Sequence, residues 1–298
     1  LLLASGGYDR SVRLWEVAGP SREESPVALT NLGRAAPQAS LRFTDSNRAV
    51  VLYSGDGYVR IDVRTGTVRP LPIGPVPAAN SSNAPVGPAA ISPDGSRAAA
   101  LSEDNRSLRI WNILTGGEEA VLLTNSPRTI GRPEFSADGK RLAVNEEGRK
   151  TQIWNTADWS YQSLEDSVST NVQQLVFSLN GSRLAQVERG VVRVKPGEVV
   201  RERGGKVFDL ASGKFLLGVQ VLRGRSLALS PDGTLLALGT GNDAIQLWSV
   251  DRGQQIGTLG GKGAIVFGLS FSPDGKTLAG CVAVEGFKLW NVETQQAI

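Results

Sequence analysis

Apolar and polar positions along this chain alternate in short runs, never in the longer rhythm of a helix. Segments such as Ser11-Val-Arg-Leu-Trp15 and Ser107-Leu-Arg-Ile-Trp111 alternate polar and apolar residues up to the closing tryptophan. A period of two is that of a strand with one face buried and one face wet. Between these segments stand turns of the form Ser-Pro-Asp-Gly, at Ser92–Gly95, Ser230–Gly233 and Ser272–Gly275. Looser copies are Ser136-Ala-Asp-Gly139, Ser178-Leu-Asn-Gly181 and Thr44-Asp-Ser-Asn47. Asp-Gly between two apolar runs is a strong hairpin signal, because glycine takes a positive φ at little steric cost.

The turns and the tryptophans keep a fixed distance. Gly139 to Trp154, Gly233 to Trp248 and Gly275 to Trp290 each span 15 residues, and Gly95 to Trp111 spans 16. Counting 15 from Asn47 reaches Asp62, in a copy without its tryptophan. In the fifth copy the span from Gly181 to Phe208 is 27, and Phe208 takes the marker position. With Trp15 this gives seven markers: Trp15, Asp62, Trp111, Trp154, Phe208, Trp248 and Trp290. Their spacing of 40 to 54 residues suits a unit of four short strands. An all-β fold follows: a seven-bladed β-propeller of four-stranded antiparallel blades, occupying residues 1–298 as a single domain.

The segments RLWEV, RIWNI, QIWNT, QLWSV and KLWNV, the last four each after such a turn, resemble WD repeats. The resemblance spans nearly the whole chain. It implies blades with strands a, b, c and d from centre to rim, with the turn joining a to b and the marker in c. On that pattern the chain starts at strand b of its first blade and stops before strand d of its last. It reads as an N-terminally truncated fragment of a seven-bladed parent, with extra upstream blades as the alternative. Family members often carry a Gly-His pair whose imidazole joins a buried network with a Ser/Thr, a loop Asp and the Trp. This chain has no histidine. Stability is therefore expected to rest more on packing and sheet hydrogen bonds. Asp9, Asp56, Asn105, Asn242 and Gly148 hold the loop-Asp position in five of the copies.

The absence of histidine also changes the chemistry on offer. It removes the commonest general base and the commonest metal ligand. A lone Cys281 cannot form an internal disulfide and has no imidazole to activate it. Gly260-Gly261-Lys262-Gly263 lacks the spacing of a phosphate-binding loop. No catalytic residue, metal site or cofactor is expected. The composition is 40% hydrophobic and 20% charged, with a net charge of +3, so a packed core is expected and a strong polyanion preference is not. Aromatic residues make up only 6% and are mostly spent as blade markers, which disfavours nucleic acid as a partner. No apolar run is long enough for a spanning helix, and no membrane partner is expected. Cysteine usage leans towards a cytoplasmic setting.

Binding features remain. In blade five, Glu188 to Gly205 reads as a hairpin inserted between strands b and c, turning at Lys195-Pro-Gly-Glu198. It carries Arg189, Arg193, Lys195, Arg201 and Arg203. Loops b–c and d–a leave a blade at one end, the end that members of the family it resembles commonly use for binding. Arg10, Arg34, Arg106, Arg128, Arg132, Arg149, Arg223, Arg225 and Lys262 fall in loops of that kind. Together these residues are the candidate partner-binding set. They favour other proteins or peptides, acidic ones above all. The plain alternatives are a tolerated surface insertion and ordinary solubility charge. The Pro-rich stretch from Gly74 to Pro88 reads as a long d–a loop. The expected function is a non-catalytic protein-interaction scaffold within a larger regulatory or signalling protein. The alternative is a propeller that binds or transforms a small ligand in its central channel.

Overall fold

The computed structural model describes residues 2–6, 12–16, 27–29, 41–44, 49–54, 57–62, 65, 67–71, 90–101, 106–168, 172–195, 198–222, 226–240, 245–260, 266–282 and 286–298. Among them every regular element is a strand, and no helix is long and apolar enough to cross a membrane. Two compact units divide the chain, Leu1–Ile130 and Gly131–Ile298.

Three antiparallel sheets make up the first unit. One contains β1 (Leu2–Gly6), β2 (Val12–Glu16) and β3 (Val27–Leu29). The next runs β4 (Leu41–Thr44), β5 (Ala49–Ser54), β6 (Gly57–Asp62) and β7 (Val68–Pro70). The third runs β8 (Ala90–Ile91), β9 (Arg97–Leu101), β10 (Leu108–Asn112) and β11 (Glu118–Leu123).

Four more sheets make up the second unit. They are β12 (Glu134–Phe135), β13 (Arg141–Val144), β14 (Gln152–Asn155) and β15 (Tyr161–Ser163); then β16 (Val172–Phe177), β17 (Arg183–Lys195), β18 (Glu198–Asp209) and β19 (Phe215–Leu222). Next come β20 (Ser226–Leu229), β21 (Leu235–Gly239), β22 (Ile245–Ser249) and β23 (Gln254–Leu259). The last sheet has β24 (Val266–Phe271), β25 (Thr277–Val282) and β26 (Gly286–Asn291). In each sheet neighbours in sequence are neighbours in space, as in a propeller blade.

The Ser-Pro-Asp-Gly turn shows why it recurs. In five sheets the Ser hydroxyl donates to the Asp or Asn two residues on and accepts the amide five residues on. At the third sheet Ser92 Oγ donates to Asp94 Oδ1, and Arg97 N donates to Ser92 Oγ at 2.9 Å. Ser136, Ser178, Ser230 and Ser272 repeat the pattern. The turn glycines sit at φ between 69° and 77°, the left-handed region that a side chain resists. Burial alone would raise Asp94, Asp138 and Asp232. The Ser hydroxyls and the following backbone amides outweigh it and hold all three below the ordinary carboxylate value. Asp274 is held low chiefly by the Ser272 hydroxyl.

A folded-state pKa below the unfolded one means that the unfolded chain binds protons first. This stabilisation is present above the reference value of 3.8 and is lost as pH falls through it and below. Urea midpoints should therefore hold steady from neutral pH down to about pH 5 and fall steeply by pH 3. A flat profile down to pH 3 would contradict the role given to these turns.

Strand register locates the marker residues. Trp15 stands opposite Leu3, Trp111 opposite Ala98, Trp154 opposite Leu142, Phe208 opposite Leu184, Trp248 opposite Leu236 and Trp290 opposite Leu278. In the last five pairs the partner lies three residues past the turn glycine. The second sheet corrects the sequence count by one. The residue three past Asn47 is Val50, and it faces Ile61, not Asp62. Ile61 is fully buried, while the Asp62 amide takes the carbonyl of Thr67 just as Asn112 takes that of Gly117. Asp62 thus matches the residue after the tryptophan. The fixed count failed because the β5–β6 hairpin is tight, closing with Ser54 opposite Gly57.

Alternation along the strands builds the core between neighbouring sheets of the second unit. Phe208, Leu184, Leu210, Ile153, Leu164, Leu175 and Ala143 form one cluster. Leu227, Leu229, Leu236 and Leu238 meet Val187, Val207, Leu217 and Val219 in another. Gly205 belongs to this second contact: a Cβ there would lie 3.2 Å from Leu238 Cδ2 and 3.4 Å from Leu227 Cδ1. Gly205→Val should therefore overpack the contact and cost about 1–3 kcal/mol. An unchanged urea midpoint would show that the leucines can move aside.

Candidate functional site

The loop end of the sheet β16–β19 differs from its siblings. Strands β17 and β18 pair from Arg183 opposite Asp209 to Lys195 opposite Glu198, with one register shift between Arg193 and Lys195. The insertion is a continuation of blade strands b and c, a long two-stranded ribbon. Strand β19 follows it outward as far as Leu222 opposite Glu202. That third strand, which braces the lower part of the ribbon, had no signature in the sequence.

A buried polar chain secures the ribbon's base. Thr151 opens the approach to β14 and is fully buried. Its hydroxyl donates to Gln186 Oε1 at 2.8 Å, and its amide donates to Ser167 Oγ at 2.8 Å. Gln186, also fully buried, donates from Nε2 to the Ser167 carbonyl at 3.1 Å and to Glu188 Oε1. Glu188 pairs with Lys206 at 2.8 Å, and Lys206 Nζ reaches the Asp166 carbonyl at 3.1 Å. Asn145 Nδ2 joins the other end through Thr151 Oγ1 at 3.4 Å. Among the described residues no buried side-chain polar atom is left without a partner. Packing and sheet hydrogen bonds are joined here by side-chain hydrogen bonds. A histidine-free network of Thr, Gln, Ser and Asn links sheets β12–β15 and β16–β19. Its groups satisfy one another, so its capacity is to hold geometry.

The candidate binding residues fall into three groups. Arg106 and Arg128 lie exposed at the loop end of sheet β8–β11, where Ser126 takes both backbones: its amide donates to the Arg106 carbonyl and its hydroxyl to the Arg128 carbonyl. Arg132 and Arg149 lie exposed at the same end of sheet β12–β15, where the Gly131 amide donates to the Asn145 carbonyl. Arg149 stands 3.4 Å from the buried Glu146. In the ribbon, Arg189, Arg193 and Lys195 fall on β17, and Arg201 and Arg203 fall on β18. Arg10, Arg34, Arg223, Arg225 and Lys262 lie outside the described residues, as do Asp9, Asp56, Asn105, Asn242 and the stretch from Gly74 to Pro88. Gly148 takes a positive φ of 68° in the turn before Thr151. Among the described residues no group of His, Cys, Asp and Glu is arranged to hold a metal ion.

Similarity to known proteins agrees with this architecture. The family profile "Lipoprotein LpqB beta-propeller domain" matches residues 61–217. The profile "WD domain, G-beta repeat" matches residues 1–16 and 253–283. No curated protein matches the chain in sequence. Among solved structures, the β-propeller domain of Cps50 (Swd1) from Myceliophteria thermophila superposes with a TM-score of 0.68 at 16% identity, over 98% of this chain and 93% of that one. Hydrazine synthase from Kuenenia stuttgartiensis superposes with a TM-score of 0.61 at 17% identity, over 85% of this chain and 76% of that one. At such identities the likeness is one of fold, and the fold is a β-propeller. With blade after blade built on the same turn and marker, and more than half its length matched by one profile, this WD-repeat chain belongs to the family of the lipoprotein LpqB β-propeller domain.

Proposed function

We propose that this propeller is a non-catalytic interaction scaffold, and that its partner engages the loop end of sheets β12–β15 and β16–β19. The observation that carries this reading is the ribbon of β17 and β18. It extends two strands of its blade, is braced by β19 as far as Glu202 and is tied at its base by a fully satisfied network. A slack insertion would need neither the third strand nor the Glu188–Lys206 pair. A strand-paired projection loses less entropy on binding than a slack loop, which suits a recognition element.

The hydrazine synthase likeness shows that an enzyme can carry the same fold. It shares no more than fold at that identity, and this chain has no histidine to serve as base or ligand. Cross-linking of the full protein in its host cells tests the proposal. The reading expects partner cross-links concentrated on residues 132–150 and 188–206. Cross-links confined to the Ser-Pro-Asp-Gly end, or the absence of any protein partner, would overturn it.

A further inference from the structure

We infer that Asn180 is a modification site: it loses its side-chain amide spontaneously, at a rate set by the seam between sheets β16–β19 and β20–β23. The chemistry is independent of any partner. Asn180 precedes Gly181, the one Asn-Gly step in the chain. With no side chain to shield it, a glycine amide nitrogen can reach Cγ of the asparagine before it. That nitrogen loses its proton and bonds to Cγ, the Cγ–Nδ2 bond breaks, and ammonia leaves. Water then opens the resulting succinimide ring at either carbonyl. One opening gives aspartate, and the other gives its isomer, with the main chain running through Cβ and Cγ.

In the folded chain the groups this reaction needs are held elsewhere. The Gly181 amide donates to the Ser178 carbonyl at 2.9 Å. Asn180 Oδ1 accepts from Ser178 Oγ at 2.8 Å, from Ser182 N at 3.0 Å and from Ser182 Oγ at 2.8 Å. Its Nδ2 crosses to the next sheet and donates to the Asp232 carbonyl at 3.0 Å, and its own amide donates to the Pro231 carbonyl at 2.9 Å. Arg183 closes the same seam by donating to the Gly233 carbonyl at 2.8 Å and to the Asp251 carboxylate. Asn180 is nevertheless exposed, so water reaches it once these bonds open. Hydrogen bonds at a solvent-exposed seam open locally more often than the whole fold does.

Sibling turns show what the product does. Asp94, Asp138, Asp232 and Asp274 occupy the same place in four other turns, each accepting from its Ser hydroxyl. An aspartate at this position therefore keeps the turn. It has no hydrogen to give the Asp232 carbonyl and sets a carboxylate against that oxygen. On the other side, Asp138 Oδ2 lies 4.0 Å from where a Cβ on Gly181 would stand, so the new charge joins a row of like charges. The isomer lengthens the main chain and also displaces the Gly181 amide. Either product loosens the seam.

The test follows conversion of Asn180 by peptide mapping and mass spectrometry in mildly alkaline buffer. It compares the native full chain, the same chain unfolded in guanidinium chloride, and Arg183→Met, which removes the side-chain ties of the seam and leaves the turn. Native conversion should run about ten- to a hundredfold slower than in the unfolded chain, ahead of every other asparagine, and about threefold or more faster in Arg183→Met. Asn180→Asp should lower the urea midpoint. Asn155→Asp, which adds the same charge at an exposed turn where Oδ1 takes the Ala157 amide, should not. No native conversion once the unfolded chain has fully converted, a native rate equal to the unfolded one, an unchanged rate in folded Arg183→Met, or a wild-type midpoint for Asn180→Asp overturns the inference. Should Arg183→Met fail to fold, the native rate in guanidinium chloride below the unfolding transition replaces it. That rate must rise with denaturant, and a constant rate overturns the gating by the seam.

Discussion

Phe208→Ala should cost about 3–5 kcal/mol, one of the two largest effects expected of any single substitution in the chain. Phe208 is fully buried at the marker position of its sheet, directly opposite Leu184. It fills the cluster of Ile153, Leu164, Leu175 and Leu210, which spans two neighbouring sheets, and its ring meets Phe215 edge-on at 6.0 Å. Truncation removes the ring's transfer energy and leaves a cavity that two sheets, each held by its own ladder, are poorly able to close. Phe208→Leu should lose far less, since most of the volume is kept. Urea unfolding of both variants measures this directly. Equal, small losses would mean that the sheets collapse onto the gap and that the marker position is not a packing keystone.

Gln186→Leu tests the polar network in the same way. Leucine has nearly the right shape but leaves the Thr151 hydroxyl and the Ser167 carbonyl without the partners Gln186 supplies. Each such loss in a buried site costs about 1–3 kcal/mol, so roughly 2–4 kcal/mol is expected once the gain in apolar burial is set against it. Adding Thr151→Val removes the stranded hydroxyl and should recover part of the loss, a coupling that a double-mutant cycle reads. A second readout separates positioning from bulk stability. Glu188 loses its contact to Gln186, so amides of Arg189–Lys195 should exchange faster in the variant than those of β20–β22. Purely additive mutations with unchanged exchange in the ribbon would mean that the network does not hold it.

Much of the architecture could be read from the chain because the repeat is written in local chemistry. A Ser, an Asp or Asn, and a Gly in four consecutive positions form a self-contained hydrogen-bonded turn, and a tryptophan at fixed distance marks the third strand. Even Phe208, displaced by a 27-residue span, was identifiable because the hairpin that displaces it alternates in the same rhythm. The count failed at Ile61 because it assumed a hairpin of standard length, and the β5–β6 connection is shorter. It also gave no warning of Trp159, which takes a φ of 57° at the c–d turn where other sheets place Gly116, Gly213 and Gly253.

The candidate site was legible only in part. Its basic ribbon is contiguous in sequence and could be found by composition and alternation. Its support could not. Thr151 and Gln186 are 35 positions apart on different sheets, and neither residue type announces a network. The partners are set by how successive sheets stack, which no local pattern encodes. Likewise the opposition of Arg189 and Arg203 depends on the register of β17 and β18 and not on spacing alone.

Co-purification from the native host tests the central claim most directly. The full protein is compared with one whose ribbon is trimmed to a tight turn joining Glu188 to Gly204, a cut that keeps the Glu188–Lys206 base intact. The account predicts that a partner recovered in fixed proportion with the intact protein is lost on trimming, while the urea midpoint holds. Recovery of the same partner in the same proportion by the trimmed protein would contradict it.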